Sequence, residues 1–531
     1  MNDISIIVFL LFGISFIGMM SKRYNFPLPI ALVVGGICIS LIPQMPVITL
    51  KPEVVFLIFL PPLLYEAAWK TGWREFKSNI RPISFAAIGL VIFTTLLVGY
   101  AVHWLIPDIS WPVSFLIGAI VSPPDAIAAT AVTKGLGLNP RIMSILEGES
   151  LVNDASGLVA YKYALGVIVA GNFVYWEAGA NFLMIATAGI AIGLGIGVLM
   201  DFVQRRIICD PVVEAGMTLI IPFASYLLAE SFHFSGVLAV VTTGLFISFR
   251  SGRTMSHQGR IMAYSLWEVI PFLLNGFVFV LIGLQLRSVI AGISNYRTLD
   301  LVIYGLAVSF AVIIVRFIWA FPSTLIPRYL SKKIRQEEFD VRNIIIFGWA
   351  GMRGVVSMAA ALALPLTING QPFAERNLVI YLTFCVILVT LVGLGLTLPW
   401  IIKKMKISPF SLAGEEYEVR TQVVSNAIGH IEENYATIHD DLLYNIKIKY
   451  EVKYNRLQSS DLPSNYFGQG KTLGGNIFNE FTKLQLDLLN VERDSINTMH
   501  RSGKVSEVVA RKIEHELDLE ETRLNMEIYG A

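Results

Sequence analysis

Between Glu149 and Leu158 the chain reads ESLVNDASGL, and within it stand two carboxylates, Glu149 and Asp154, with Ser150 and Asn153 between them. The stretch lies inside an apolar run long enough to cross a bilayer. A charged side chain at membrane depth costs at least ~2.5–3.5 kcal/mol on the most lenient scale, so two of them so close together point to function rather than packing. On a helix, Glu149 and Asn153 share one stripe, and Ser150 and Asp154 share the neighbouring one. One stripe offers an acid and an amide. The other offers an acid and a hydroxyl, an all-oxygen pair suited to a hard cation such as Na⁺. The same carboxylate oxygens can carry a proton instead, so one site would have two mutually exclusive occupants.

The rest of the chain supplies the setting. Apolar residues make up 54% and charged residues only 15%, where a water-soluble domain carries about 25% charge; the mean hydropathy is +0.62. The expected class is an all-α polytopic membrane protein. A net charge of +1 lacks the basic face of a nucleic-acid binder. Cys38, Cys209 and Cys385 are scattered and form neither a disulfide framework nor a metal motif. No phosphate-binding GxxxxGK[ST] loop is present, no channel filter is visible, and no cofactor is expected.

A window of about 20 residues per crossing gives about thirteen apolar segments. Residues 1–406 are read as the membrane domain and 407–531 as a helical tail. Basic residues crowd alternate linkers, among them Lys70, Arg74, Lys77 and Arg81, then Arg205 and Arg206, and finally Lys403, Lys404 and Lys406. The opposite linkers are poor in Lys and Arg, with Arg287, Arg297 and Arg376 as exceptions. This asymmetry places the N-terminus outside and the C-terminus in the cytoplasm.

Two spans are interrupted. The fifth, 112–134, contains Ser122-Pro123-Pro124-Asp125, and the twelfth, 342–368, contains Gly348, Gly351 and Gly354 around Arg353. Prolines remove backbone donors and disfavour helix before them. Broken helices at bilayer depth are tolerated only where they line a cavity or are buried in protein. Spans five and twelve correspond if spans one to six repeat as eight to thirteen, and such a pair points to a transporter's binding site. Glu66 ends FLPPLLYE in the third span, read as another proline-broken stretch. Arg316 in AVIIVRFIW and Arg353 are both candidates to pair with Glu149, and spacing does not choose between them. Asn275 is polar in an apolar span and is expected to hydrogen-bond to a neighbouring helix. Glu268 precedes it by two turns as a candidate cap or gate. Lys162 and Glu230 read as interfacial, snorkelling side chains.

These stretches resemble the monovalent cation:proton antiporter family, in its bacterial sodium/proton exchanger branch. ESLVNDASGLVAY is similar to the ESL-x-NDA signature, FLPPLLYEAAW to an FLPP element, VSPPDAIAATAV to an S-x-x-D element and GWAGMRGVVSMAAALALP to a G-G-x-R-G-x-x-S element; FLLNGFVFVLIGL matches as well. The resemblance covers the whole membrane part. It implies an inverted repeat with crossed broken helices, a homodimer in the plasma membrane, and electroneutral exchange of one cation for one proton. It makes Asp154 the shared cation and proton carboxylate. Ser150 and Glu66 are implied as ligands or near-ligands, and Asp125 as an acid at the helix crossing. Asn153, Glu149 and an arginine are the implied supporting network. Asn153, where other branches carry a second Asp, is the electroneutral pattern. Many relatives have Thr before the Asp at 125 and Pro after it. Here Pro124 precedes and Ala126 follows, so a threonine ligand is replaced by at most the Pro124 carbonyl.

From Ser408 the composition turns charged and helical. Glu415 to Tyr435 and Phe478 to Met499 show apolar periodicity, Ser459 to Gly475 reads as a linker, and a helical hairpin is expected around Ser502-Gly503. Dimer contact, pH or ligand regulation, and a structural appendage are the roles open to it. His430, His439, His500 and His515 are candidate pH sensors.

Overall fold

The computed structural model describes residues 3–24, 26–42, 52–107, 109–133, 140–170, 175–207, 210–293, 296–330, 341–368, 370–405, 413–434, 450–451 and 475–529. Residues 459–474 of the expected linker, Cys209 and His439 lie outside them.

The described chain is helical apart from one two-stranded hairpin, Thr367–Ile368 with Gln371–Pro372. In order come α1 (Asp3–Tyr24), α2 (Leu28–Ser40), α3 (Pro52–Lys70), α4 (Trp73–Ser78), α5 (Ile80–Leu105), α6 (Trp111–Val121), α7 (Ala126–Thr133), α8 (Pro140–Ala170), α9 (Tyr175–Arg206) and α10 (Pro211–Ser231). Then follow α11 (Gly236–Thr254), α12 (His257–Ala291), α13 (Thr298–Leu330), α14 (Val341–Trp349), α15 (Val355–Leu362), α16 (Arg376–Val389) and α17 (Gly395–Lys404). The last three are α18 (Ala413–Asn434), α19 (Gly475–Ser502) and α20 (Glu507–Tyr529). Among the described residues, 7 helices are long and apolar enough to cross a membrane, and three shorter apolar helices accompany them. Two contact units emerge: one of Met1–Ile208, Gly216–Thr254 and Ser265–Phe410, the other of Cys209–Ala215, Met255–Tyr264 and Ser411–Ala531.

In the first unit small residues set the helix contacts, because apolar burial gives helices in lipid little reason to associate and close packing must do it. A Cβ on Gly36 of α2 would strike the α12 backbone at Val280 and Gly283, and one on Gly283 would strike α2 in return. Gly193 of α9 lies against Ala239 of α11, and Gly118 of α6 against Thr95 of α5, in the same way.

Two interruptions fall where the sequence puts them, between α6 and α7 and between α14 and α15. The third does not. α3 runs unbroken through Pro61 and Pro62, which corrects the reading of FLPPLLYE as a broken stretch. Two adjacent prolines in mid-helix cost two intrahelical donors, and packing against neighbouring helices can hold such a segment in a membrane. At Ser122–Asp125 the prolines are followed by an aspartate that can cap a new helix, and there the chain starts one.

The second unit contains α18, α19 and α20. Val419 and Val423 of α18, Leu489 and Ile496 of α19, and Val509, Ile513 and Leu517 of α20 form its buried core. α19 turns into α20 at Gly503, whose φ of 87° is a left-handed value that favours glycine. The N–H groups of Gly503 and Lys504 both close onto the Met499 carbonyl, ending α19. Glu507 opens α20 and is held by His500 at 2.9 Å and Arg511 at 2.6 Å. Burial alone would raise its pKa, but the His500 hydrogen bond and the Arg511 charge outweigh burial and pull the carboxyl down to about 2. Its contribution is therefore complete above the ordinary glutamate range and is lost as pH falls towards 2. Replacing Glu507 with Gln should speed amide hydrogen exchange at the hairpin tip about tenfold at neutral pH, by weakening charge-assisted bonds; unchanged protection would contradict this.

Candidate functional site

The two breaks meet. The Asp125 N–H donates to the Met352 carbonyl at 2.7 Å, joining the α6–α7 interruption to the α14–α15 interruption. Each break exposes one helix C-terminus with unpaired carbonyls and one N-terminus with unpaired amides. Buried Arg353 serves the C-terminal ends. Its Nε donates to the Val121 carbonyl at 2.9 Å and its Nη2 to Ser122 at 3.4 Å, while Nη1 donates to Gly351. One guanidinium thus sits against the negative ends of α6 and α14. Asp125 serves the N-terminal ends. Its Oδ1 accepts the Ala128 N–H at 3.3 Å, capping α7. A Cβ on Gly354, at the start of α15, would run into the same carboxylate. The backbone N–H of Arg353, which no helix satisfies, donates to Thr390 Oγ1 at 3.1 Å. Thr390 opens a π-helical segment, Thr390–Leu394, between α16 and α17, a type of bulge that recurs at functional sites.

Substituting Ala for Gly354 therefore forces the Asp125 carboxylate aside. Overpacking of this kind costs about 1–3 kcal/mol. Because displaced functional groups lose far more activity than stability, the cation-driven proton movement that the resemblance implies should fall at least ~tenfold. Initial rates in membrane vesicles check this, and a wild-type rate would contradict it.

α8 lies beside the meeting point. Ser150 Oγ donates to the Pro124 carbonyl at 3.1 Å, tying α8 to the first break. Asp154, one turn further along, is close enough to Asp125 for the two charges to interact. Both acids are partly accessible. Among the described residues, no hydrogen bond is made to the Asp154 carboxylate, so its oxygens remain for another partner. Among the described residues, Asn153 Oδ1 on α8 and Ser357 Oγ in the first turn of α15 are also buried without a hydrogen-bond partner.

The other stripe of α8 is structural. Glu149 is fully buried and is gripped by both ends of the Arg316 guanidinium. Nη1 meets Oε1, and Nη2 meets Oε2 at 2.9 Å. Arg316 also donates to the Phe347 carbonyl at 3.2 Å and lies 4.4 Å from the Phe347 ring centre. Asn153 Nδ2 donates to Glu149 Oε1 at 3.0 Å. Of the two arginines that spacing left open, Arg316 pairs with Glu149 and Arg353 closes the helix breaks.

Other sequence candidates are placed apart. Glu66 is buried on α3 and paired with Lys70 one turn on; among the described residues no hydrogen bond or ion pair joins it to Asp154. Among the described residues, Asn275 Oδ1 on α12 finds no hydrogen-bond partner, so the expected bond to a neighbouring helix is not made there by this atom. Glu268 is exposed. Lys162 and Glu230, expected as interfacial or snorkelling side chains, pair with each other at 2.5 Å. Arg376, which departs from the charge asymmetry of the linkers, donates to the Leu364 and Leu362 carbonyls at 3.0 and 3.1 Å and so finishes α15. Thr390 carried no sequence signal, while Ser357 stood in the Arg353 motif without being singled out.

Comparison with known proteins then gives three results. The family model described as sodium/hydrogen exchanger, transmembrane, matches residues 6–404. The chain is 34% identical over 388 residues to a sodium, potassium, lithium and rubidium/H⁺ antiporter of Bacillus pumilus, an alignment covering 71% of this chain and 58% of that protein. It is 30% identical over 522 residues to an uncharacterised Na⁺/H⁺ exchanger of Mycobacterium tuberculosis, covering 95% of this chain and 93% of that one. The fold is similar to that of the sodium proton antiporter MjNhaP1 from Methanocaldococcus jannaschii, with a TM-score of 0.60 over 76% of this chain and 98% of that one at 21% identity.

Proposed function

Because the chain belongs to the sodium/hydrogen exchanger family, we propose that it is a secondary antiporter that exchanges Na⁺ for H⁺ across the plasma membrane, with Asp154 as the group both ions share. The observation that carries this is a partly accessible carboxylate, without a hydrogen bond among the described residues, beside Asp125 at the meeting of two broken helices. A cation entering there is offered Asp154 and Asp125, with the Ser150 hydroxyl and the Pro124 carbonyl at the margin. Glu66 is paired with Lys70. When the cation leaves, the Asp154 oxygens take up the proton. Asp125 and Arg353 hold the four helix ends while the occupant changes, and the Glu149–Arg316 pair keeps α8 in register with α13.

The architecture proposed around this site is about thirteen spans in an inverted repeat, with the two broken helices crossed. The N-terminus is outside, the C-terminus is in the cytoplasm, and the assembly is a homodimer. One acid exchanging one cation for one proton makes the cycle electroneutral.

A second cation is favoured by one local feature. Pro124 stands where a hydroxyl ligand would otherwise sit, so the site offers a carbonyl and a hydroxyl on α8, a softer discrimination by size. The Bacillus pumilus relative is named for potassium, lithium and rubidium as well as sodium, and K⁺ exchange by the same machinery is the alternative. Proteoliposomes loaded with a pH-sensitive dye test both. Addition of Na⁺ should move protons at a rate unaffected by clamping the voltage, and the relative rates for Na⁺, Li⁺ and K⁺ rank the substrates. Strong voltage dependence would refute one-for-one exchange, and proton movement with no cation would refute antiport.

A further inference from the structure

Along the Asp154 face of α8, burial extends further in one direction than in the other. Towards the proposed outer end, Gly157, Leu158 and Tyr161 stand three, four and seven residues on and are all buried. In the other direction Leu151 and Ser150, three and four residues back, are buried as well, but Glu147, seven residues back, is exposed. On this face burial therefore extends to Tyr161 on the outer side, where the opposite side is already exposed, and the outer stretch is the better covered.

What seals it comes from four other elements. The Tyr161 hydroxyl donates to the Ala363 carbonyl just past α15 at 3.2 Å. Its ring meets the edge of Phe56 on α3, with centres 5.8 Å apart at 61°. The next residue, Lys162, pairs with Glu230 at the end of α10 at 2.5 Å. Glu230 Oε1 also accepts the Gly236 N–H at the start of α11, at 3.2 Å. Any route from Asp154 to the outside along this face must part α8 from α3 and α10. The lysine is 44% exposed and the glutamate 29%, and an ion pair at such exposure is worth only ~0–1 kcal/mol. That suits a contact made and broken in every cycle, unlike the fully buried Glu149–Arg316 pair.

We propose that Lys162 and Glu230, with the Tyr161–Phe56 contact beneath them, form the extracellular gate, closed in this structure and parted when Asp154 faces outward. This rests on the exchange and orientation proposed above. The gate assigns a role in transport to two charges that would otherwise be an incidental surface pair.

The test is a reversible staple. In a chain whose Cys38, Cys209 and Cys385 are replaced by Ser, Lys162→Cys and Glu230→Cys are bridged by a short bismethanethiosulfonate reagent. Exchange should fall at least ~tenfold, since an outward state can no longer form, and should return on reduction. Undiminished exchange with the bridge in place would overturn the gate. A cysteine-free parent that moves no protons with Na⁺, Li⁺ or K⁺ would instead count against the exchange assignment. A second measurement needs no transport. Leu158→Cys, one turn inside Tyr161, should resist an impermeant maleimide applied from outside, and adding Glu230→Ala should raise its labelling severalfold. Equal labelling in the two backgrounds would contradict the gate.

Discussion

Replacing Asp154 with Asn should abolish exchange, by more than about a hundredfold, while leaving the fold intact. The two side chains have nearly the same shape. Among the described residues the carboxylate accepts no hydrogen bond, so the substitution strands no partner, and a buried group stripped of its partner is what makes polar substitutions expensive. The amide cannot carry a proton in the working pH range, and it removes the formal charge that would balance a cation. The melting temperature in detergent should stay within a few degrees of the parent, since no named destabilising mechanism applies. Both halves of the result are needed. An inactive protein that has also unfolded says nothing about the site, and an active one would remove Asp154 from it.

The opposite pattern is expected one turn earlier. Glu149→Gln leaves Arg316 charged, buried and without its bidentate partner. Removing one member of a buried ion pair costs about 3–5 kcal/mol, whereas replacing both with apolar side chains of similar size is often neutral. At the few degrees per kcal/mol typical of larger domains, the melting temperature should fall on the order of 10 °C. Combining Glu149→Leu with Arg316→Met should recover most of that loss. A single variant as stable as the parent would mean that the pair is not the tie between α8 and α13.

How much of this could be read from the chain depends on whether a residue's role is local. The breaks at Pro123-Pro124 and around Gly351 and Gly354 were legible because proline chemistry and glycine clustering act within a few residues. The two stripes of α8 were legible because helical spacing alone separates Ser150 and Asp154 from Glu149 and Asn153. The choice between Arg316 and Arg353 was not, since it depends on where α13 and α14 come to rest against α8. Pro61-Pro62 misled for a related reason. The same dipeptide that ends α6 is tolerated in α3 when neighbours hold the helix and no capping residue follows. Thr390 and Arg376 act on backbone groups of other segments, the Arg353 N–H and the α15 carbonyls. Lys162 and Glu230 are 68 residues apart, and each alone looks like an ordinary interfacial charge. What was missed is the set of long-range bonds from side chain to backbone and across helices.

Competition between the two ions for one carboxylate is most directly measured as the dependence of the apparent KM for Na⁺ on pH in proteoliposomes. If Asp154 must lose its proton before it takes the cation, KM should rise about tenfold for each unit that pH falls below the titration of the site, with the maximal rate unchanged. A KM that stays constant while the maximal rate falls would mean that proton and cation bind at separate places, and the shared-carboxylate account would be wrong.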